Sequence, residues 1–185
     1  MNEKECITAI ACVAMSGEKL PLVILATGRT RECEERFYAD ERLAKHIRRK
    51  HLYVSHTHTG WSTEEFAIQY LNHLKGTYLK DDPGLLVWDL HASHRTNNVK
   101  AAAEQLSIGM KFIPAGQTDY WQPLDNKVFG VLKAKARAMF DAQMADMNLK
   151  DVTIMNAIDI LVECWQSLET ELIRGAWMHI NDICD

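Results

Sequence analysis

The stretch LLVWDLHASH, residues 85–94, decides how this chain is read. Its apolar run Leu85-Leu86-Val87-Trp88 follows a Pro83-Gly84 break and stops at Asp89, which is the pattern of a short buried strand. A carboxylate at the C-terminal end of such a strand stands where open α/β sheets place ligands and chemistry. The second informative stretch is FIPAGQTDYWQPLDNKVFGVLK, residues 112–133. Here Phe112-Ile113 reads as another strand, Pro114, Gly116 and Asp119 mark a turn-rich loop, and Asp125 opens a long helix. Oxygen donors of this kind suit hard divalent cations. One carboxylate on a strand end and one at a helix start can converge at one point, which makes Asp89 and Asp125 a candidate metal pair.

Composition narrows the class. At 185 residues the chain is long enough for one domain with a substantial core, and the expectation is a single domain over 1–185. A net charge of −4 argues against an undirected nucleic-acid binder, although not against an enzyme that tolerates phosphate through metal ions. Five cysteines with no CxxC pair and no zinc spacing read as reduced thiols of a cytosolic or nuclear protein. Met1 is followed by polar residues rather than the apolar core of a signal peptide, and no run is long enough for a membrane span.

Outward from the decisive stretch, residues 6–15 and 20–26 read as a β-hairpin around Ser16-Gly17, with strands covered on both faces. From Gly28 to His51 the apolar pattern loosens. Lys45, Arg48, Arg49 and Lys50 belong to the one strongly basic cluster, which is either a solvated face or a phosphate contact. Leu52–Ser55 reads as a short strand, and His56 and His58 form an HxH pair with no third ligand nearby in sequence. Ser62-Thr63-Glu64-Glu65 reads as a capping box led by Ser62, opening a helix that Gly76 would stop. Beyond Asp89, Asn97 or Asn98 caps a helix to Leu106, giving a parallel strand–helix–strand unit.

Asp125, Phe129, Leu132 and Ala136 fall at i, i+4, i+7 and i+11, on one helical face. On that spacing Asp125 heads a core-facing stripe, as a first-turn helix residue or as a cation ligand. Residues 150–185 supply further amphipathic helices, with Trp165 and Trp177 as core fillers.

In this order, the hairpin, WDLHASH and FIPAGQTDYWQPLDNKVFGVLK resemble the DDE superfamily endonuclease domain of pogo/Tigger-type, centromere protein B-like transposases. The match runs through Asp89, His91, Ser93 and His94, then Pro114, Thr118 and Gln122-Pro123-Leu124-Asp125, then Val128-Phe129 and Leu132-Lys133. It covers about residues 6–140 and departs at Leu90, where the family usually has Gly. The resemblance implies an RNase H-like α/β fold, a mixed sheet flanked by helices. It also implies three carboxylates holding two Mg²⁺ or Mn²⁺ ions that serve DNA strand cleavage and transfer. Asp89 and Asp125 take the second and third of those places, while His91, His94 and Gln122 support them. DNA is the implied partner, with a homo-oligomer formed on it, and the nucleus the implied location.

The family's first catalytic Asp lies on a strand ahead of the hairpin, and no Asp precedes Asp40 here. The expectation is an N-terminally truncated domain, missing its first catalytic strand and the helix-turn-helix targeting domains. Such a chain would be nearly inactive alone, which leaves open whether it acts as an enzyme. The alternative is a domesticated, non-catalytic nucleic-acid-binding or assembly protein.

Overall fold

The computed structural model describes residues 7–117, 121–145 and 152–178. Cys6, Thr118, Asp119 and Cys184 lie outside the described residues. The architecture is the mixed α/β type that the RNase H resemblance implies, with parallel and antiparallel strand pairs and helices. The described residues form two compact units, one of residues 7–61 and 123–178, the other within Ser62–Gln122.

In the first unit, β1 (Ile7–Ile10) and β2 (Leu22–Thr27) form the expected antiparallel hairpin, with Ile7 opposite Ala26 and Ile10 opposite Val23. Gly17, at φ +93°, closes the turn, and a Cβ there would collide with the Thr170 side chain. β3 (Leu52–Thr57) pairs with β2 in parallel, so the order is β1-β2-β3. Central β2 is buried from Leu22 to Ala26, as its unbroken apolar run predicts, while edge strand β1 is only half-buried.

The segment between β2 and β3, which lacks a clear apolar period, contains α1 (Glu32–Ala39) and α2 (Glu41–Arg48). Asp40 separates them and caps α2 by accepting the N–H groups of Arg42 and Leu43. Their inward faces carry Phe37 and Leu43 but also buried Glu34 and His46. Those polar residues interrupt the pattern that would have announced the helices.

The C-terminal part of this unit supplies α5 (Phe129–Met144), α6 (Ile154–Gln166) and α7 (Thr170–Trp177). Ile158, Val162, Trp165 and Ile173 are buried in one core with Leu22, Ile24, Phe37, Leu43 and Leu132. Burial of each such side chain stabilises by about 1.5–3 kcal/mol. Trp165 is a core filler as expected, and its Nε1–H donates to the Leu20 carbonyl at 2.9 Å. Trp177 packs only partly buried against the same core.

In the second unit, α3 (Glu64–Leu74) precedes β4 (Gly84–Trp88), then α4 (Asn97–Gln105), then β5 (Ile108–Phe112). β4 and β5 are parallel, which makes the expected crossover. Val99 and Ala103 of α4, Ala67 and Leu71 of α3, and Ile108 form its apolar centre. Three boundaries differ from the sequence reading. The residue capping α3 is Thr63, whose hydroxyl accepts the Phe66 N–H, and the residue capping α4 is Thr96. The chain passes Gly76 in a π turn (Lys75–Leu79) instead of stopping there. β4 is half-exposed rather than buried, and among the described residues its strand partner is β5. Among the described residues no helix is long and apolar enough to cross a membrane.

Candidate metal-carboxylate site

Asp89 is the first residue beyond β4, and its surroundings are built by its own loop and by the start of α3. Oδ1 accepts two hydrogen bonds, from the backbone N–H of His91 at 3.1 Å and from Nδ1 of His94 at 2.7 Å. A single 3-10 turn, Ala92–His94, brings His94 back beneath the carboxylate. The His94 ring lies flat on Trp88, with centroids 3.9 Å apart and planes 17° apart. Trp88 in turn packs against Tyr70 of α3.

With Nδ1 donating to Asp89, Nε2 of His94 accepts from the Ser62 hydroxyl at 3.3 Å. Ser93 Oγ donates to Ser62 Oγ at 3.3 Å and contacts His91 Nδ1 at 2.7 Å. Capping of α3 by Thr63 leaves Ser62 available for this chain of contacts. The result is a relay from Ser93 through Ser62 and His94 to Asp89.

The relay sets the charge of the carboxylate. The His94 hydrogen bond holds the Asp89 carboxyl below the usual carboxylate range, against the opposing effect of burial. The His91 N–H and the nearby imidazoles pull the same way. Among the described residues Oδ2 has no hydrogen-bond partner, and the Asp89 side chain is 45% exposed. An ionised oxygen facing solvent, fixed from behind by a buried histidine, matches the donor chemistry of Mg²⁺ or Mn²⁺. His91 and His94 are thereby engaged with Ser93 and Asp89, as supports of the carboxylate.

The remaining expected site residues fall elsewhere. Gln122 belongs to the same unit as Asp89, and its buried Oε1 finds no donor among the described residues. Asp125 belongs to the other unit. It lies in a π turn, Leu124–Val128, that leads into α5. This corrects the expected core-facing stripe: the wider π turn shifts the register, so Val128 and Leu132 are buried and Asp125 is exposed.

Lys45 and Arg48 are exposed on the last turn of α2, followed by exposed Arg49 and Lys50. None of these four has a carboxylate within ion-pair distance among the described residues. The HxH pair does not converge on a ligand set. His56 Nδ1 meets Glu34 at 2.6 Å, while His58 Nε2 accepts from Arg29 at 3.4 Å.

Sequence reasoning passed over Ser62 as a part of the site because it was assigned to the helix cap. It also passed over a second donor cluster. His46 of α2 and Asp159 and Glu163 of α6 bring ligand atoms within 4.8 Å of one another. There the His46 ring contacts Asp159 at 2.9 Å through Nε2, and its buried Nδ1 has no partner among the described residues. Metal-bound histidines ordinarily donate that second N–H to an acceptor. The contact is better explained as a link between α2 and α6.

Comparison with known proteins adds two findings. The sequence pattern of the DDE superfamily endonucleases matches residues 3–177 of this chain. Two curated relatives, the mouse and human proteins described as "Pogo transposable element with KRAB domain", are each 27% identical over 183 aligned residues. That alignment takes in 93% of this chain and 28% of each relative, so the chain spans under a third of their length.

Proposed function

Because this chain belongs to the DDE superfamily endonucleases, we propose that it is the endonuclease portion of a transposase-derived protein, acting on DNA in the nucleus. The family reaction is metal-dependent DNA strand cleavage and transfer, with Asp89 and Asp125 as two of its three metal carboxylates, so the isolated chain is nearly inactive. The observation that carries this reading is the held, ionised and half-exposed carboxylate of Asp89. Bound Mg²⁺ or Mn²⁺ supplies Lewis-acid activation of the attacking oxygen and neutralises charge at the phosphodiester.

The chain's own residues set up that chemistry. His94 fixes the rotamer of Asp89 and keeps it ionised, Ser62 fixes the tautomer of His94, and Trp88 holds the imidazole plane. Lys45, Arg48, Arg49 and Lys50 neutralise backbone phosphates, a contact that carries no sequence information.

Titration of the purified chain with Mn²⁺ tests the reading. Saturable uptake that is lost in Asp89→Asn and weakened in Asp125→Asn is the expected outcome. Uptake indifferent to both variants, or none, removes the catalytic reading and leaves a non-catalytic nucleic-acid-binding or assembly protein. DNA affinity that drops in a Lys45→Glu/Arg48→Glu variant, with a smaller salt slope, supports the phosphate contact.

A further inference from the structure

A differently built cluster lies where β2 and β3 end. The two strands are parallel, with Thr27 opposite Thr57, so the loops that follow them leave from the same end of the pair. Buried Thr57 joins those loops. Its carbonyl accepts the N–H of Gly28, from the first loop, at 3.0 Å and that of Gly60, from the second, at 3.2 Å. Its hydroxyl donates to the Trp61 carbonyl at 2.8 Å. Gly60 stands at φ +74°, which lets the second loop turn back within four residues. The Trp61 N–H donates to Thr59 Oγ1 at 3.4 Å.

The backbone of Trp61 is thus anchored on both sides, yet its side chain is 60% exposed. Arg29, in the first loop, donates from Nη2 to His58 Nε2 in the second at 3.4 Å. Arg31, two residues on, has a side chain that is 89% exposed and pairs through Nε with Glu34 at 3.7 Å. The nearby acids are partly committed: Glu34 is buried against His56 at 2.6 Å, and Glu32 accepts from Thr30 at 3.4 Å.

A large apolar ring held out in water by a fixed turn asks for a flat partner. Protein-docking faces need a contiguous apolar patch. Among the described residues, none of the other exposed large apolar side chains, Met15, Tyr38, Leu85, Val131 and Met178, belongs to either loop. A single indole on a loop joined to one that carries arginines suits a ligand with one flat π-face and an anionic link. Carboxyl ends of parallel strands are also where α/β folds receive ligands.

We propose that the carboxyl end of the β2–β3 pair is a docking site for an unpaired nucleotide, with the Trp61 indole stacking on the base and Arg29 contacting its phosphate. Stacking on an aromatic platform is tolerant of sequence because every base offers a π-face. The site rests on the nucleic-acid reading of the chain, but it needs neither metal nor the Asp89 relay.

The test compares equilibrium binding of a blunt duplex with that of the same duplex carrying a short single-stranded overhang. The wild-type chain should prefer the overhang. Trp61→Ala should weaken overhang binding roughly five- to hundredfold while leaving blunt-duplex affinity and the melting temperature near wild type. Trp61→Phe should recover most of the preference, and Arg29→Ala should lose part of it. Overhang binding unchanged in Trp61→Ala overturns the proposal. Duplex binding with no overhang preference also overturns it and leaves the DNA reading standing. Absence of binding to either DNA removes both.

Discussion

Three carboxylate–histidine contacts in the described residues have similar lengths and opposite arrangements. In Glu34–His56, at 2.6 Å, the carboxylate is the covered partner, 8% exposed against 27% for the ring. In His46–Asp159, at 2.9 Å, both side chains are covered, 11% and 16% exposed. In Asp89–His94, at 2.7 Å, the ring is 8% exposed and the carboxylate 45%. The first two join a helix to a strand and a helix to a helix, and so hold the fold. The third uses a buried ring to present a carboxylate to solvent. Distance alone does not separate a structural pair from a functional one; the side on which the charge emerges does.

If that distinction is sound, the pairs fail differently when cut. Asp89→Asn should abolish saturable Mn²⁺ uptake by the chain while costing no more than about 1 kcal/mol of stability, the scale of one half-exposed hydrogen bond. Calorimetric titration and thermal melting on one preparation check both halves. A large drop in melting temperature would place Asp89 with the structural pairs. His94→Ala should be intermediate, weakening Mn²⁺ binding about ten- to hundredfold, the range for a group that supports a ligand. His46→Ala should do the reverse: a loss of about 2 kcal/mol in urea unfolding, from a covered hydrogen bond to a charged group, with Mn²⁺ affinity unchanged. Loss of Mn²⁺ uptake in His46→Ala would instead make the His46, Asp159 and Glu163 group the metal centre.

The sequence showed most where the backbone period was uninterrupted. The β1–β2 hairpin, β3 and the β4–α4–β5 crossover followed from apolar runs bounded by turns. α1 and α2 did not, because Glu34 and His46 occupy inward positions that a hydrophobic count treats as surface. The Asp89 loop was legible as chemistry, since a strand ending in Asp followed by two histidines points to a held carboxylate. Its supports were only partly legible. Ser62 and Thr63 are both good capping residues side by side, and only the fold shows that Thr63 takes the cap and Ser62 turns to His94. Asp125 shows a second limit, for the π turn beneath it shifts helical register and leaves no mark on an i, i+4 count.

The finest test of the comparison is the pH dependence of metal binding. His94 is the largest cause holding the Asp89 carboxyl below its usual value, with burial opposing it. A carboxyl lowered by folding contributes stability that is complete above its unfolded value of about 3.9 and is lost as pH falls through the lower folded value. Protons compete with the cation for the same oxygen, so Mn²⁺ uptake should persist further into acid in wild type than in His94→Ala. The expected result is an uptake midpoint at higher pH in His94→Ala, alongside a smaller loss of stability as pH drops below about 4. A midpoint that stays in place would mean that His94 orients Asp89 without setting its charge. Weaker affinity at every pH would then be the whole effect of removing it.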